Sequence, residues 1–149
     1  MIYHCVRGSF RPEVPVAERE AALERLRRYP QEIDVIQASC VGRDIGGEFE
    51  FGAMYALADV AAYETYMNAP WHLETDAAGL PLVSNFVAFD LTDDEDSAIG
   101  DKIAEVHRRR FEARPEILGL VEDLDSYTGS GVPDRDPVAL AATGEPTSC

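Results

Sequence analysis

The sequence predicts an α+β protein with a ferredoxin-like antiparallel sheet and a C-terminal helical extension. Four segments alternate apolar residues in the way that is typical of strands. Two segments with helical spacing of apolar residues separate the first strand from the second and the third strand from the fourth. The resulting βαββαβ order is that of the split βαβ fold.

The first strand is predicted over residues 2–10, where apolar residues occur on both faces. This pattern indicates a central strand that is covered on both sides. Pro12 and Pro15 end the strand, and residues 16–29 have the periodicity of an amphipathic helix that Pro30 closes.

The second and third strands are predicted over residues 33–41 and 48–57, joined by a glycine-containing turn as a hairpin. Asp59 is the predicted N-cap of the second helix. The fourth strand is predicted over residues 83–91.

The chain divides by composition into three parts. Residues 1–93 hold the βαββαβ pattern, and residues 94–128 have apolar residues at helical spacing, with Pro115 where a new helix begins. We therefore expect a helical hairpin there. Residues 129–149 are rich in Gly, Pro and small residues and are predicted to form a mobile tail.

The composition excludes several classes of partner. A net charge of −15 argues against nucleic acid and against an anionic membrane surface, since both require a basic footprint. The three cysteines form no disulfide framework or metal spacing, which favours a reducing, cytoplasmic setting. The first ten residues lack the pattern of a signal peptide, and no apolar run is long enough to span a bilayer.

A homodimer is expected from the sheet itself. Helices in this fold cover one face of the sheet, so the other face would expose Val6 and Phe10. A second copy that packs sheet to sheet would cover that face.

The segment AAYETYMNAPWH, residues 61–72, contains the main candidate site. Tyr63 and Tyr66 are three residues apart and share a helix face. Pro70 disfavours helix at Ala69 and allows the chain to change direction before His72. A phenol and an imidazole can therefore converge on one point.

With these segments, residues 1–93 resemble the stress-responsive alpha/beta barrel (Dabb) family. The resemblance is carried by MIYHCVRGSF with its early histidine, by the Tyr66–Pro70–His72 spacing, and by PLVSNFVAFDL. It implies a ferredoxin-like domain that dimerises so that two sheets enclose an α/β barrel.

The polyketide cyclases of this family imply roles for three residues. Tyr66 and His72 would serve the chemistry, with His72 as base and Tyr66 as the donor to an enolate oxygen, and His4 would line the cavity and position the substrate. The other predicted substrate-binding residues are Val6, Gly8, Phe10, Tyr63, Trp71 and Arg7.

Each of these residues also has a purely structural interpretation. His72 could cap the broken helix, and Tyr63 and Tyr66 could be core residues. Arg7 suits an internal ion pair better than a substrate carboxylate. Gly8 and Trp71 depart from the family pattern in size, and Gly8 could enlarge the cavity near His4.

The remaining polar groups are not predicted to form a site. Cys5 and Cys40 lie in strands, where cysteine acts as a small hydrophobe. Glu74 and Asp76 with His4 have no recognised metal spacing, so we expect no metal and no cofactor. The HRRR cluster, residues 107–110, is expected to be the solvated end of a helix.

The resulting hypothesis is a cofactor-independent enzyme that abstracts a proton from a small apolar or polyketide-like substrate and promotes aldol-type cyclisation or isomerisation. Two alternatives stay open. One is a stress-related barrel that binds a ligand or stabilises an assembly without chemistry, and the other is a cofactor-free monooxygenase.

Overall fold

The computed structural model describes residues 1–130. Its elements in chain order are β1 (Ile2–Phe10), α1 (Val16–Arg27), α2 (Tyr29–Glu32), β2 (Ile36–Arg43), β3 (Phe51–Leu57), α3 (Val60–Asn68), α4 (Pro70–Gly79), a 3₁₀ turn (Leu80–Leu82), β4 (Val83–Thr92), α5 (Ile99–Ala113), α6 (Pro115–Glu122) and β5 (Ser126–Gly129). Among these elements, no helix is both long enough and apolar enough to cross a membrane.

The sheet has five strands in the order β2-β3-β1-β4-β5. The first four strands pair antiparallel, and β5 pairs with β4 in parallel. The predicted ferredoxin-like fold is confirmed. Strand β1 is central, as its apolar residues on both faces indicate.

The register shows which side chains of β1 face the helices. His4 is paired with Tyr55 on β3 and with Asp90 on β4, and Val6 is paired with Ala53 and Ala88. Val6 and Phe10 are buried beneath the chain's own helices, so the prediction that they form the exposed face is wrong.

The opposite face of the sheet is apolar as well. Most of its side chains on the three inner strands are only partly buried, among them Tyr3, Cys5, Met54, Val87 and Phe89, and Leu91 is 56% exposed. Period-two alternation identifies residues that share a face, but it does not identify the face that the helices cover.

The helix break lies where the sequence predicts it. The Asp59 side chain accepts a hydrogen bond from the Ala62 backbone N–H at 2.8 Å and caps α3. Ala69 is extended, with φ −61° and ψ 137°, and Pro70 begins a second helix at once. His72 therefore lies in the first turn of α4, earlier in a helix than the sequence indicates.

The C-terminal segment contains the two predicted helices and one strand that the sequence analysis missed. Helix α5 packs against α3, and α6 packs against α4. The strand β5 is only four residues long and has the composition of a turn, so no periodicity reveals it.

Strand β5 also changes the predicted boundary at residue 129. A Cβ atom on Gly129 would lie 2.1 Å from the Ala88 carbonyl oxygen, so only glycine allows β5 to approach β4 this closely. Gly129 thus belongs to the sheet rather than to the predicted tail, of which residues 131–149 lie outside the described residues.

Candidate functional site

A cavity of about 90 Å³ lies between the sheet and the helices of a single chain. From the sequence, the cavity is expected in a barrel that two sheets enclose, whereas this cavity lies within one chain. The lining combines a mainly aromatic and aliphatic surface with several polar groups, as in many small-molecule sites. The lining residues with ionisable or hydrogen-bonding side chains are His4, Tyr29, Tyr55, Tyr66, His72, Thr75, Asp76, His107, Arg110 and Tyr127.

His4 enters the cavity from the central strand with one ring nitrogen already engaged. Its Nδ1 lies 2.8 Å from Asp90 Oδ1, and both side chains are less than 7% exposed. A carboxylate accepts hydrogen bonds only, so Nδ1 carries the proton in neutral His4. Nε2 has no hydrogen-bond partner among residues 1–130 and is the basic nitrogen of the ring.

The Asp90 carboxylate is held by donors from three parts of the fold. Besides His4, the Tyr63 hydroxyl donates to Oδ2 at 3.2 Å, and the Ser130 hydroxyl donates to the same oxygen. Burial raises the pKa of Asp90, but the contacts with His4 and Ser130 outweigh it and hold the pKa below its usual value. Asp90 is therefore ionised at neutral pH.

Tyr63 links this carboxylate to the C-terminal segment. Its hydroxyl lies 2.7 Å from Nε2 of His107 and 3.3 Å from Nδ1 of His4. Burial raises the pKa of Tyr63 and lowers that of His107 to about 3, so both groups are neutral. Tyr63 donates to Asp90 and accepts from His107.

His72 lies beside Tyr66 and is also neutral. Its Nδ1 donates to the Tyr66 carbonyl oxygen at 3.0 Å, and its ring meets the Tyr66 ring edge to face at 4.5 Å. Burial lowers the pKa of His72 to about 4, against the charge of Asp76. The 3.5 Å approach of Nε2 to Asp76 is therefore not an ion pair at neutral pH, although its distance allows one.

Tyr66 is one of four tyrosines that line the cavity. Its side chain is buried, and burial raises its pKa well above the usual value, so the hydroxyl keeps its proton. Among residues 1–130 this hydroxyl has no hydrogen-bond partner, which leaves it free to donate to a ligand.

The helical wall of the cavity carries one buried ion pair. Arg110 on α5 donates to Asp76 on α4, and the Arg110 side chain is 4% exposed. The pair is neutral overall. Within residues 1–130, no three His, Cys, Asp or Glu side chains are grouped so that they could hold a metal ion.

The sequence matches one protein family over most of the folded region. The model of the family described as Stress responsive A/B Barrel Domain (Dabb) matches residues 2–93, which is more than half of the chain. The chain belongs to the Dabb family. No curated protein matches the sequence.

Solved structures share this Dabb fold at low identity. A Dabb family protein from Mesorhizobium loti is 23% identical, with a TM-score of 0.55, and the match covers 61% of this chain and 94% of that chain. A dimeric ferredoxin-like protein of unknown function from Thermobifida fusca is 21% identical, with a TM-score of 0.56 and coverage of 61% and 89%.

A hydroxynitrile lyase from Passiflora edulis has the same fold. It is 14% identical, with a TM-score of 0.58, and the match covers 63% of this chain and 94% of that chain. Identities this low show a shared fold and carry no information about activity.

The structure brings together five of the nine side chains that the sequence analysis assigns to the site of this Dabb domain. They are His4, Val6, Phe10, Tyr66 and His72.

The other four lie outside the cavity. Tyr63 lies behind it and contacts His4. Arg7 points to the opposite face and pairs with Asp44 at 2.6 Å, which is the ion-pair alternative.

Gly8 and Trp71 also have structural surroundings. A Cβ atom at Gly8 would lie 2.7 Å from the Phe51 ring. The Phe51 ring therefore occupies the space that a side chain at position 8 would need. Trp71 lies between the guanidinium groups of Arg25 and Arg28, at 4.4 and 4.6 Å, and donates to the Arg25 carbonyl.

Sequence reasoning missed Asp90, His107 and Arg110. Asp90 was detectable, because an acid that alternates with Ala88 on a predicted strand lies on the buried face and needs a partner. His107 and Arg110 belong to a charged run in which Arg108 and Arg109 are exposed, and composition does not reveal which members turn inward.

The burial of His72 and His107 predicts that the folded protein loses stability at acid pH. His72 and His107 have folded-state pKa values near 4 and 3, below the value of 6.5 for an exposed histidine. The unfolded chain therefore binds more protons between pH 6.5 and 4.5, and the free energy of unfolding falls as the pH falls.

We expect His72 alone to account for a loss of up to about 3 kcal/mol over this transition. Urea unfolding at a series of pH values measures the slope, and the slope should be shallower for His72→Gln and His107→Gln. Equal slopes for the wild type and both variants would contradict the burial of neutral histidines.

Proposed function

We propose that this protein is a cofactor-independent enzyme that removes a proton next to a carbonyl group of a small, neutral, polyketide-like substrate. The resulting enolate would then undergo aldol-type cyclisation or isomerisation. The observation that supports this proposal best is the His4–Asp90 pair, with one nitrogen fixed by a carboxylate and the other unoccupied beside an apolar cavity.

Asp90 prepares His4 to act as a general base. The carboxylate fixes the tautomer with the proton on Nδ1, so Nε2 presents its lone pair. When Nε2 takes a proton, the imidazolium is stabilised by the charge of Asp90 at 2.8 Å. A histidine in this state can remove a proton from a carbon acid when that proton lies within hydrogen-bonding reach of Nε2.

Tyr66 is the proposed donor to the enolate oxygen. Its protonated hydroxyl lines the same cavity, and its ring centre lies 5.5 Å from that of His4. A donor that is already in place stabilises the charge that develops on the oxygen without reorganisation.

His72 has a different role from the one that the sequence analysis assigns. Its Nδ1 proton is committed to the Tyr66 carbonyl, and its low pKa of about 4 makes it a weak base. We therefore assign the base to His4, and we assign to His72 the task of orienting Tyr66 at the helix break.

The electrostatics of the cavity support a neutral substrate. Among the lining residues, the charge of Asp76 is balanced by Arg110, and the Asp90 carboxylate, which is not part of the lining, is hydrogen-bonded to His4. The fixed charges of the lining therefore balance, which favours a neutral ligand over an ionic one.

Two further functions remain as competing proposals. The mainly apolar lining also suits a barrel that binds a ligand without chemistry. A cofactor-free monooxygenase would consume oxygen, which an oxygen electrode measures directly. A cytoplasmic location is part of our proposal, since Cys5 and Cys40 are free thiols that a reducing compartment would preserve.

Deuterium exchange tests the proposed chemistry without knowledge of the natural substrate. Proton NMR in D₂O follows the loss of the methyl signal of aryl methyl ketones, beginning with acetophenone. We expect the wild type to accelerate exchange, His4→Gln to lower the rate about 100-fold or more, and Tyr66→Phe to lower it about 100-fold.

The matched control is Tyr3→Phe, which removes a hydroxyl from the same strand as His4 but on the opposite face of the sheet. This variant should exchange at the wild-type rate. Wild-type protein that accelerates no exchange, or folded His4→Gln and Tyr66→Phe variants with unchanged rates, would refute the proposed reaction and favour the binding barrel.

We also propose that the protein is a homodimer that buries the outer face of its sheet. Met54, Val87 and Phe89 are only partly buried on that face, and Leu91 is 56% exposed. Such a patch commonly marks an interface. Three solved structures with this fold are described as dimeric, which supports the proposal.

Sedimentation velocity at about 10 μM tests the dimer, because an obligate interface persists at this concentration. We expect the wild type to sediment as a dimer and Phe89→Asp to sediment as a monomer. Ile45→Asp is the control, since Ile45 is 82% exposed in the loop before β3. A monomeric wild type, or a Phe89→Asp variant that is still dimeric, would contradict this interface.

A further inference from the structure

Unpartnered polar atoms are concentrated around the cavity. Within residues 1–130, four buried side-chain atoms have no hydrogen-bond partner: Arg25 Nε, Thr75 Oγ1, His107 Nδ1 and Arg110 Nε. Three of the four belong to residues that line the one cavity described above. Folded proteins leave few buried polar groups unsatisfied, so three around one cavity indicate a missing partner.

The three residues belong to one wall of the cavity. Thr75 precedes Asp76 on α4, and Asp76 is the partner of Arg110 on α5. His107 and Arg110 are three residues apart and share a face of α5. This wall, which consists of Thr75, His107 and Arg110, belongs to the helical layer, whereas His4 enters the cavity from the sheet.

We propose that Thr75, His107 and Arg110 form a subsite for a second oxygen of the ligand, a phenolic hydroxyl distinct from the carbonyl that reacts at His4. The proposal rests on the proposed function in that both concern the same cavity. It assigns the ligand to the class of neutral molecules with two oxygen groups on an apolar framework.

The hydrogen-bonding capacity of the wall determines this class. Arg110 Nε donates only, and His107 Nδ1 accepts when Nε2 donates to Tyr63. The Thr75 hydroxyl donates or accepts, and it lies near enough to the Tyr29 hydroxyl to oppose the rise that burial causes in the pKa of that tyrosine. A phenolic hydroxyl can satisfy such a mixed set, because it donates to His107 Nδ1 and accepts from Arg110 or Thr75, whereas a carbonyl would leave His107 Nδ1 without a donor. A carboxylate would meet the Asp76 carboxylate, which is bound to the same guanidinium.

The subsite depends on the part of the chain that follows the Dabb match. His107 and Arg110 lie on α5, beyond residues 2–93. The Dabb domain supplies the reacting groups, and the C-terminal helix supplies two of the three residues that select the ligand. The preference among ligands therefore depends on α5, which lies in the C-terminal extension.

Isothermal titration calorimetry tests the subsite through binding alone. The probes are acetophenone, its 3′- and 4′-hydroxy derivatives, and 4-acetylbenzoate. We expect at least one hydroxy derivative to bind the wild type about threefold to tenfold more tightly than acetophenone, the equivalent of one hydrogen bond. The carboxylate should bind no more tightly than acetophenone.

Thr75→Val removes one hydroxyl with little change in shape and should reduce the preference for the hydroxy derivative to about twofold or less. Thr65→Val, on the exposed side of α3, is the matched control and should keep the wild-type preference. The double variant Asp76→Leu with Arg110→Met removes both charges together and should also lose the preference, without leaving one ion buried alone.

Equal affinities for all the probes, or no binding by any of them, would overturn the subsite. A preference that persists in both Thr75→Val and the double variant would overturn it as well. The binding result does not depend on turnover. If the protein prefers the hydroxy derivative but exchanges no deuterium, the subsite stands and the proposed reaction is refuted.

Discussion

The buried carboxylate of Asp90 is the constraint on which the site depends. A buried carboxylate costs several kcal/mol unless hydrogen bonds compensate for lost hydration. Three side chains supply them: His4 from the neighbouring strand, Tyr63 from α3, and Ser130 directly after β5. Three separate segments of the chain must therefore be in place before the hydrogen bonds to the Asp90 carboxylate are complete. The same arrangement orients His4.

The cavity exists because the helical layer above this carboxylate is interrupted. Pro70 starts a new helix directly after α3, and His72 in its first turn holds the Tyr66 carbonyl. The aromatic rings that surround the break are rigid and apolar, so they enclose space without filling it completely. Helix α5 then closes the cavity with Arg110, whose charge is acceptable there only because Asp76 accompanies it.

Much of the fold could be predicted from local patterns, and most of the site could not. Alternation identified β1, and the capping chemistry of Asp59 identified the start of α3, because both signals act over a few neighbouring residues. The face that the helices cover, the pairing of Asp90 with His4 and the inward turn of Arg110 depend on contacts between residues more than 30 positions apart. The motif around Tyr66 and His72 pointed to two residues that line the cavity, but it did not reveal that burial makes His72 a poor base.

The tautomer of His4 tests this account most directly. Nitrogen-15 NMR of the histidine rings distinguishes a protonated nitrogen from one with a free lone pair. In the neutral imidazole of His4 we expect the proton on Nδ1 and an unprotonated Nε2, since the Asp90 carboxylate accepts from Nδ1. A neutral His4 with the proton on Nε2 would contradict the account, because neither the bond to Asp90 nor the proposed base could then exist.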